Sequence, residues 1–337
     1  ATNLITGICC SYYDSVPTLF ITGQVSTFRM KGDTGVRQIG FQETPIVDVV
    51  KSITKYAYTI NHPSEIKYQL QKAMHISRSG RPGPVLIDIP DDLQRANIES
   101  SQLKNFQPDV EQEKGKLTDI ILNIMSMIKI SKRPIIIAGW GVHLSKTQSD
   151  FIKFAEDLNL PIALTWGAAD LISFDHELYI GTFGTHGNRH ANFAVQNADL
   201  IISLGSRLDT KSTGSPVNTF AREAKKIMVE IDINELNKFQ KFDLKFDKLI
   251  HCDLKDFFGE VQKINIQKFF KKHDIWINKI NQWKELFNAF DDRKNLLTNQ
   301  VNPYNFVDRI SDNLLENSKV FIDTGCSIAW FMQSIRT

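Results

Sequence analysis

Cysteine is scarce, with four in 337 residues. Cys9, Cys10, Cys252 and Cys326 have neither zinc-site nor redox spacing, so no disulfide framework and no metal site is expected. The adjacent Cys9 and Cys10 read as small buried side chains, and a reducing, cytoplasmic setting is expected. No apolar run reaches the roughly 20 residues of a membrane-spanning helix. Ala1-Thr2-Asn3-Leu4 has no basic stretch and no starting Met, so no signal peptide is expected there. Charge of one sign is also lacking: 40 Lys and Arg stand against 38 Asp and Glu, a net of +2. That balance speaks against nucleic-acid and membrane-surface partners. A complete Gly-x-Gly-x-x-Gly is missing, because Gly139-Trp140-Gly141 is followed by Leu144. An NAD-dependent dehydrogenase is therefore set aside.

What is present is enough apolar material for a core, at 42% of residues, and a length that suits two domains, or one complete domain with parts of others. The organising stretch is Ala138-Gly139-Trp140-Gly141-Val142. Residues 132–137 before it, with Pro134 and three isoleucines, read as a buried parallel strand. The glycines mark a tight strand-to-helix turn where backbone can approach a ligand phosphate. Ser145 or Thr147 is expected to cap the helix that follows. Three more strand ends carry polar or glycine-rich turns: Thr165-Trp166-Gly167, Gly205-Ser206-Arg207-Leu208-Asp209 and Glu230-Ile231-Asp232-Ile233. Doubly wound sheets bind ligands at such carboxyl ends.

Residues 3–13 read as a helix, 16–23 as a buried strand and 31–43, with three glycines, as a loop. Residues 45–58 read as an amphipathic helix and its exit. A helix from Ser64 carries Ile66, Leu70 and Met74 on one face, and residues 85–89 read as a strand ending at Pro90. A polar connection to about residue 113 is the linker candidate. Helices at 116–130, 151–159 and 190–197 then alternate with strands at 161–165, 199–204, 226–231 and 248–252, the spacing of a parallel sheet. Residues 264–298 mix Phe269, Phe270, Trp276, Ile280, Trp283, Leu286 and Phe290 with many charges, which suits helices laid across domains. Residues 303–315 read as a helix, and 319–323 as a strand turning at Thr324-Gly325-Cys326-Ser327. The expected class is α/β, with doubly wound parallel-sheet domains.

These residues carry a resemblance. Ala1-Thr2-Asn3-Leu4, Asp14-Ser15-Val16-Pro17, Ile21-Thr22-Gly23-Gln24-Val25, Phe41-Gln42-Glu43, Ile53-Thr54-Lys55-Tyr56 and the run at 79–90 come first. Gly184-Thr185-His186-Gly187, Ala191-Asn192-Phe193-Ala194-Val195, Ala198-Asp199-Leu200, the turn at 205–209 and Ile231-Asp232-Ile233 follow in order. Over essentially its whole length the chain resembles the acetolactate synthase (acetohydroxyacid synthase large subunit) family of thiamine-diphosphate (ThDP) enzymes.

The resemblance implies that residues 1–105 are the C-terminal part of a pyrimidine-binding domain and 106–265 a complete central FAD- or nucleotide-binding-like domain. Residues 266–300 would then be a helical linker and 301–337 the start of a diphosphate-binding domain. The glutamate that contacts ThDP is expected before Ala1, and the Mg²⁺ and diphosphate segment after Thr337, so an internal fragment is expected, itself inactive. The implied activity is decarboxylation of a 2-keto acid, pyruvate foremost, and ligation of the two-carbon unit to a second carbonyl. Pyruvate or 2-ketobutyrate would serve branched-chain amino-acid biosynthesis, and a keto sugar would serve sugar modification. A catalytically incompetent FAD- or ADP-binding homologue is the alternative. By resemblance Phe41 and Gln42 line the catalytic cavity of a homodimer or homotetramer, with a possible regulatory subunit. FAD, largely structural, would be held by Gly139, Trp140, Gly141, Thr165, Gly167, Gly184, His186, Gly187, Ser206, Arg207, Asp209, Asp232 and Ile233. Arg207 would face a phosphate and Asp232 an adenosine-side hydroxyl; His186 could equally stabilise its turn.

The departures fall on acceptor recognition. Ile89-Pro90-Asp91-Asp92 stands where the synthases show Ile-Pro-Lys-Asp, and Leu208-Asp209-Thr210-Lys211 where they show Phe-Asp-Asp-Arg. Lys211 keeps the cation but loses the bidentate fork. Thr185 replaces an apolar pocket residue, and Arg37 is a new cation. Arg37, Lys211 and Thr185 are therefore the candidate substrate-binding residues.

Overall fold

A computed structural model describes residues 1–108, 117–287, 301–315 and 317–336. The chain forms two compact units, Ala1–Glu113 and Lys114–Thr337.

The first unit runs α1 (Ile5–Tyr13), β1 (Leu19–Gln24), α2 (Ile46–Val50), β2 (Tyr56–Thr59), α3 (Ile66–Arg78), β3 (Val85–Pro90) and a single turn, α4 (Asp91–Gln94). Its three strands are parallel in the order β1-β3-β2, with Thr22 and Thr59 both in register with Asp88. β3 is in the middle and covered on both faces, which is why its sequence is a nearly unbroken apolar run. Leu86 packs with Ile8, Ile46 and Val50 on one face, and Val85 and Ile87 pack with Ile60 and Ala73 on the other. The helix expected over 45–58 stops early. α2 ends at Val50, and Tyr56-Ala57-Tyr58-Thr59 pairs with β3 instead. Period-two alternation of two tyrosines, stacked 6.1 Å apart, outweighs the helical reading there. Cys10 is exposed rather than buried.

The second unit adds α5 (Leu117–Ile130), β4 (Pro134–Ala138), α6 (Gly141–Leu144), α7 (Gln148–Leu158), β5 (Ile162–Leu164), β6 (Tyr179–Thr182), α8 (Arg189–Asn197) and β7 (Leu200–Leu204). α9 (Thr210–Thr213), β8 (Lys225–Glu230), α10 (Ile233–Asn237), β9 (Lys248–His251), α11 (Leu254–Val261) and α12 (Asp274–Leu286) follow. Six parallel strands lie in the order β6-β5-β4-β7-β8-β9. Successive crossovers run one way from β4 to β6 and the other way from β7 to β9, so the order reverses between β4 and β7, the place where such sheets bind ligands. Side chains alternate between two cores. Ile136 and Ala138 pack with α5, α7 and α11, while Ile135 and Ile137 pack with α8, α10 and α12.

Trp276 and Ile280 are buried in the second unit's own core, and the Trp276 indole N–H donates to the Pro134 carbonyl at 3.2 Å. Phe290 lies outside the described residues. α13 (Pro303–Ser311) and α14 (Cys326–Ser334) pack on each other and are tied by Arg336, which pairs with Asp308 and Asp312. The strand expected at 319–323 is not formed. No described strand lies beside it to supply a ladder, and Phe321 is exposed. Among the described residues no helix is long and apolar enough to cross a membrane.

Candidate functional site

The turns leaving β4 and β7 abut at the switch point. The Gly139 N–H donates to Leu204 O (3.1 Å) and the Gly141 N–H to Gly205 O (2.9 Å). A Cβ on Gly139 would lie 2.5 Å from Ser206 Cα, and one on Gly141 2.7 Å from Gly205 Cα. These glycines are therefore demanded by the meeting of two backbones, and both amides are already committed to β7. Gly205 and Leu208 have positive φ, 56° and 43°, which swings the β7 exit outward. Ser206 and Arg207 use their main-chain N–H groups in no hydrogen bond among the described residues. Thr147, one of the two expected caps, stands at the N-cap of α7, but its hydroxyl bonds the Ser145 hydroxyl at 2.8 Å instead of a helix N–H.

Arg207 is exposed and lies 3.2 Å from Asp209, while its carbonyl accepts from the Lys238 ammonium. Asp209 caps α9 through the Ser212 N–H at 3.0 Å. Burial pushes the Asp209 carboxyl up, but the Ser212 N–H and the Arg207 guanidinium outweigh it and leave it below the usual range. A cleft of about 250 Å³ opens here, lined by Arg207, Asp209, Thr213, Glu235, Lys238 and Phe242.

The β6 exit docks on α9: Thr185 donates to the Lys211 carbonyl from its N–H (2.7 Å) and its hydroxyl (3.2 Å). A Cβ on Gly184 would overlap that same carbonyl. Thr185, Lys211 and His186 are exposed there. His186 stacks on Trp166 of the β5 exit, 6.0 Å between centroids. Trp140 stands over the β4 exit against His143 at 4.9 Å. At the β8 exit Asp232 caps α10 by accepting from the Asn234 N–H, and Ile233 is exposed. All thirteen cofactor candidates thus lie along one carboxyl edge, together with Lys211 and Thr185. Sequence reasoning missed Lys238, Phe242, His143 and Asp170, because their spacings to the turns have no motif.

In the first unit the loop at 31–43 is organised by Glu43. Its buried carboxylate accepts from the N–H groups of Lys31 (2.6 Å), Ile39 (2.9 Å) and Gly40 (3.2 Å). The Lys31 and Ile39 N–H groups hold that carboxyl below its usual range. Phe41, 86% exposed, and Gln42, at φ 61°, stand at the tip, with Arg37 exposed on the same loop. Asp92 anchors the neighbouring turn by accepting from the Thr27 N–H (2.9 Å) and hydroxyl (2.5 Å), and Asp91 pairs with Arg95. No group of three or more His, Cys, Asp or Glu that could hold a metal ion occurs among the described residues.

Residues 121–257 match the family described as thiamine pyrophosphate enzyme, central domain. The probable acetolactate synthase large subunit of Methanocaldococcus jannaschii is 31% identical over 350 residues, covering 100% of this chain and 56% of that protein. The acetolactate synthase large subunit of Lactococcus lactis is 34% identical over 286 residues, covering 85% of this chain and 48% of its own. That of Haemophilus influenzae is 30% identical over 291 residues, covering 84% and 49%. The chain spans about half the length of these relatives. Collinear similarity of this extent, on a parallel sheet whose order reverses at β4 and β7, identifies the chain as a member of the acetolactate synthase large-subunit family of ThDP enzymes.

Proposed function

We propose that the protein carrying this chain is a ThDP- and Mg²⁺-dependent carboligase. It decarboxylates a 2-keto acid, pyruvate foremost, and joins the two-carbon unit to pyruvate, 2-ketobutyrate or a keto sugar. The single observation that carries this reading is the 31% identity to an acetolactate synthase large subunit across 100% of the chain. ThDP, when bound, supplies the electron sink for decarboxylation, and its ligands are expected outside this chain. We also propose the division into residues 1–105, 106–265, 266–300 and 301–337 given above, a dimeric or tetrameric assembly, and a small partner of the kind that the relatives' name "large subunit" suggests.

FAD is the nucleotide proposed for the carboxyl edge of the six-stranded sheet, and the residues there fit it. The free N–H groups of Ser206 and Arg207 and the exposed Arg207 guanidinium suit a diphosphate. The Arg207–Asp209 pair is exposed and worth at most about 1 kcal/mol, so a phosphate can displace it. Asp232 faces a sugar hydroxyl in this reading, and Ile233 a ring edge. Phe41 excludes water from the substrate, and the Gln42 amide donates to its oxygen. Arg37 and Lys211 attract carboxylates, and Thr185 supplies a hydroxyl beside Lys211.

The test is an assay of the full-length protein with pyruvate, ThDP, Mg²⁺ and FAD. Acetolactate from pyruvate alone supports the synthase reading, and turnover only with another carbonyl moves the acceptor to a keto sugar. Bound flavin with no turnover of any 2-keto acid would leave a nucleotide-binding homologue. Gln42→Ala is expected to slow turnover roughly tenfold or more with flavin retained; unchanged turnover removes Gln42 from the site.

A further inference from the structure

Trp140 presents an unusual surface. Its side chain occupies the middle of a turn between two glycines, and the residue is 42% exposed on the carboxyl edge of an otherwise buried strand. Gly167, at the exit of β5, leaves room for it: a Cβ there would meet the Trp140 Cβ at 3.2 Å and little else. Behind the indole the His143 ring lies 4.9 Å away, tilted by 41°. Both imidazole nitrogens are held. Nε2 is 3.0 Å from Asp170 Oδ1, and Nδ1 is 3.2 Å from Gln148 Nε2. Because the Gln148 amide donates to Nδ1, the imidazole proton sits on Nε2 and faces Asp170. The hydrogen bond from His143 holds the Asp170 carboxyl below the usual range. Asp170 and Gln148 thus fix the His143 ring, and that ring in turn lies against an indole left 42% exposed.

We propose that Trp140 is a stacking platform for the flat heteroaromatic ring of a nucleotide diphosphate, positioned from behind by His143, Asp170 and Gln148; this rests on the nucleotide reading above. A ring on Trp140 leaves its phosphates beside the next strand end, where Arg207 and the free N–H groups of Ser206 and Arg207 stand. The Trp166–His186 stack is a second aromatic pair, at the β5 and β6 exits. Base–aromatic stacking contributes enough to be read in affinity. His143 and Asp170 are positioning residues and touch no ligand in this scheme.

The experiment is calorimetric titration of the nucleotide-stripped protein with ADP, FAD and inorganic pyrophosphate. The unsubstituted protein is expected to bind ADP and FAD more tightly than pyrophosphate. Trp140→Leu is expected to weaken the ring-bearing ligands roughly ten- to a hundredfold and leave pyrophosphate unchanged, while Trp140→Phe restores most of the loss. A loss confined to FAD places the flavin ring on Trp140, and a loss shared by ADP places adenine there. Asp170→Ala is expected to weaken the same ligands partially, and Asp170→Asn, which keeps an acceptor for His143, to recover them. Undiminished ADP and FAD binding by Trp140→Leu overturns the platform, as does an equal loss for pyrophosphate, which marks a purely structural role. Failure of the unsubstituted protein to bind any of the three overturns the nucleotide reading, and the platform with it.

Discussion

The carboxyl end of the three-stranded sheet is closed by its own side chains, and that of the six-stranded sheet is left open. In the first, Asp88 sits buried in β3 and accepts from the Thr22 hydroxyl at 2.7 Å and the Gln24 amide at 3.2 Å. In the second, β4 and β7 are buried to Ala138 and Leu204, then break into turns where the Ser206 and Arg207 N–H groups make no hydrogen bond among the described residues and the Arg207 guanidinium is exposed. A satisfied polar plug stabilises a sheet end but leaves nothing to bind with. An open end keeps donors for a ligand and must be held by something else, here the glycine contact between two turns.

Breaking that contact should have the largest effect. Gly139→Ala is expected to cost about 2–4 kcal/mol, because the new Cβ meets Ser206 Cα and the Gly205 carbonyl with no room on either side. Thermal unfolding would read it, and a melting point unchanged from the parent would show that the two turns part freely. Acid should weaken the second unit next. Burial, aided by Lys284, pushes His190 down to about 4, and its Nδ1 has no partner among the described residues. The unfolded chain takes that proton near the ordinary value of about 6.5, the folded one only near 4, so stability falls as pH drops through that window. The loss is on the order of 3 kcal/mol, and His190→Gln should flatten the pH dependence of urea unfolding between those values.

The closed edge offers the contrast. Asp88→Ala is expected to cost about 1–3 kcal/mol by leaving the buried Thr22 hydroxyl without its acceptor and the Gln24 amide with the Thr44 carbonyl alone. Burial pushes the Asp88 carboxyl above its usual range despite those bonds, so the fold penalises its charged form. Its contribution therefore grows more favourable as pH falls through the carboxylate range, and Asp88→Ala should lose that gain, as acid titration of unfolding would record. Smallest in stability is Arg207→Ala, under about 1 kcal/mol because the pair with Asp209 is exposed. Flavin retention should nonetheless drop, and undiminished yellow colour would remove Arg207 from the site.

Of the strands that sequence reading located, β3, β4 and β7 are nearly apolar runs buried on both faces, for which hydrophobicity almost suffices. β6 escaped because Tyr179-Ile180-Gly181-Thr182 places a glycine at φ 106° inside the strand, where the Asn188 side chain packs against it. The segment at 319–323 has strand propensity, but propensity supplies no neighbouring ladder. At the site, the turns and their residues were legible as strand ends. What was not legible is how their groups are spent. Gly141 looks like a phosphate cradle in sequence, yet its N–H belongs to Gly205. His143 and Asp170 lie 27 residues apart, and only the sheet order brings them to 3.0 Å.

The Glu43 carboxylate closes a ring of main chain from Lys31 to its own backbone with three donors. A loop tethered in this way has surrendered its conformational entropy during folding. Phe41 and Gln42 are thereby preorganised, and whatever meets them is spared the cost of ordering a mobile tip.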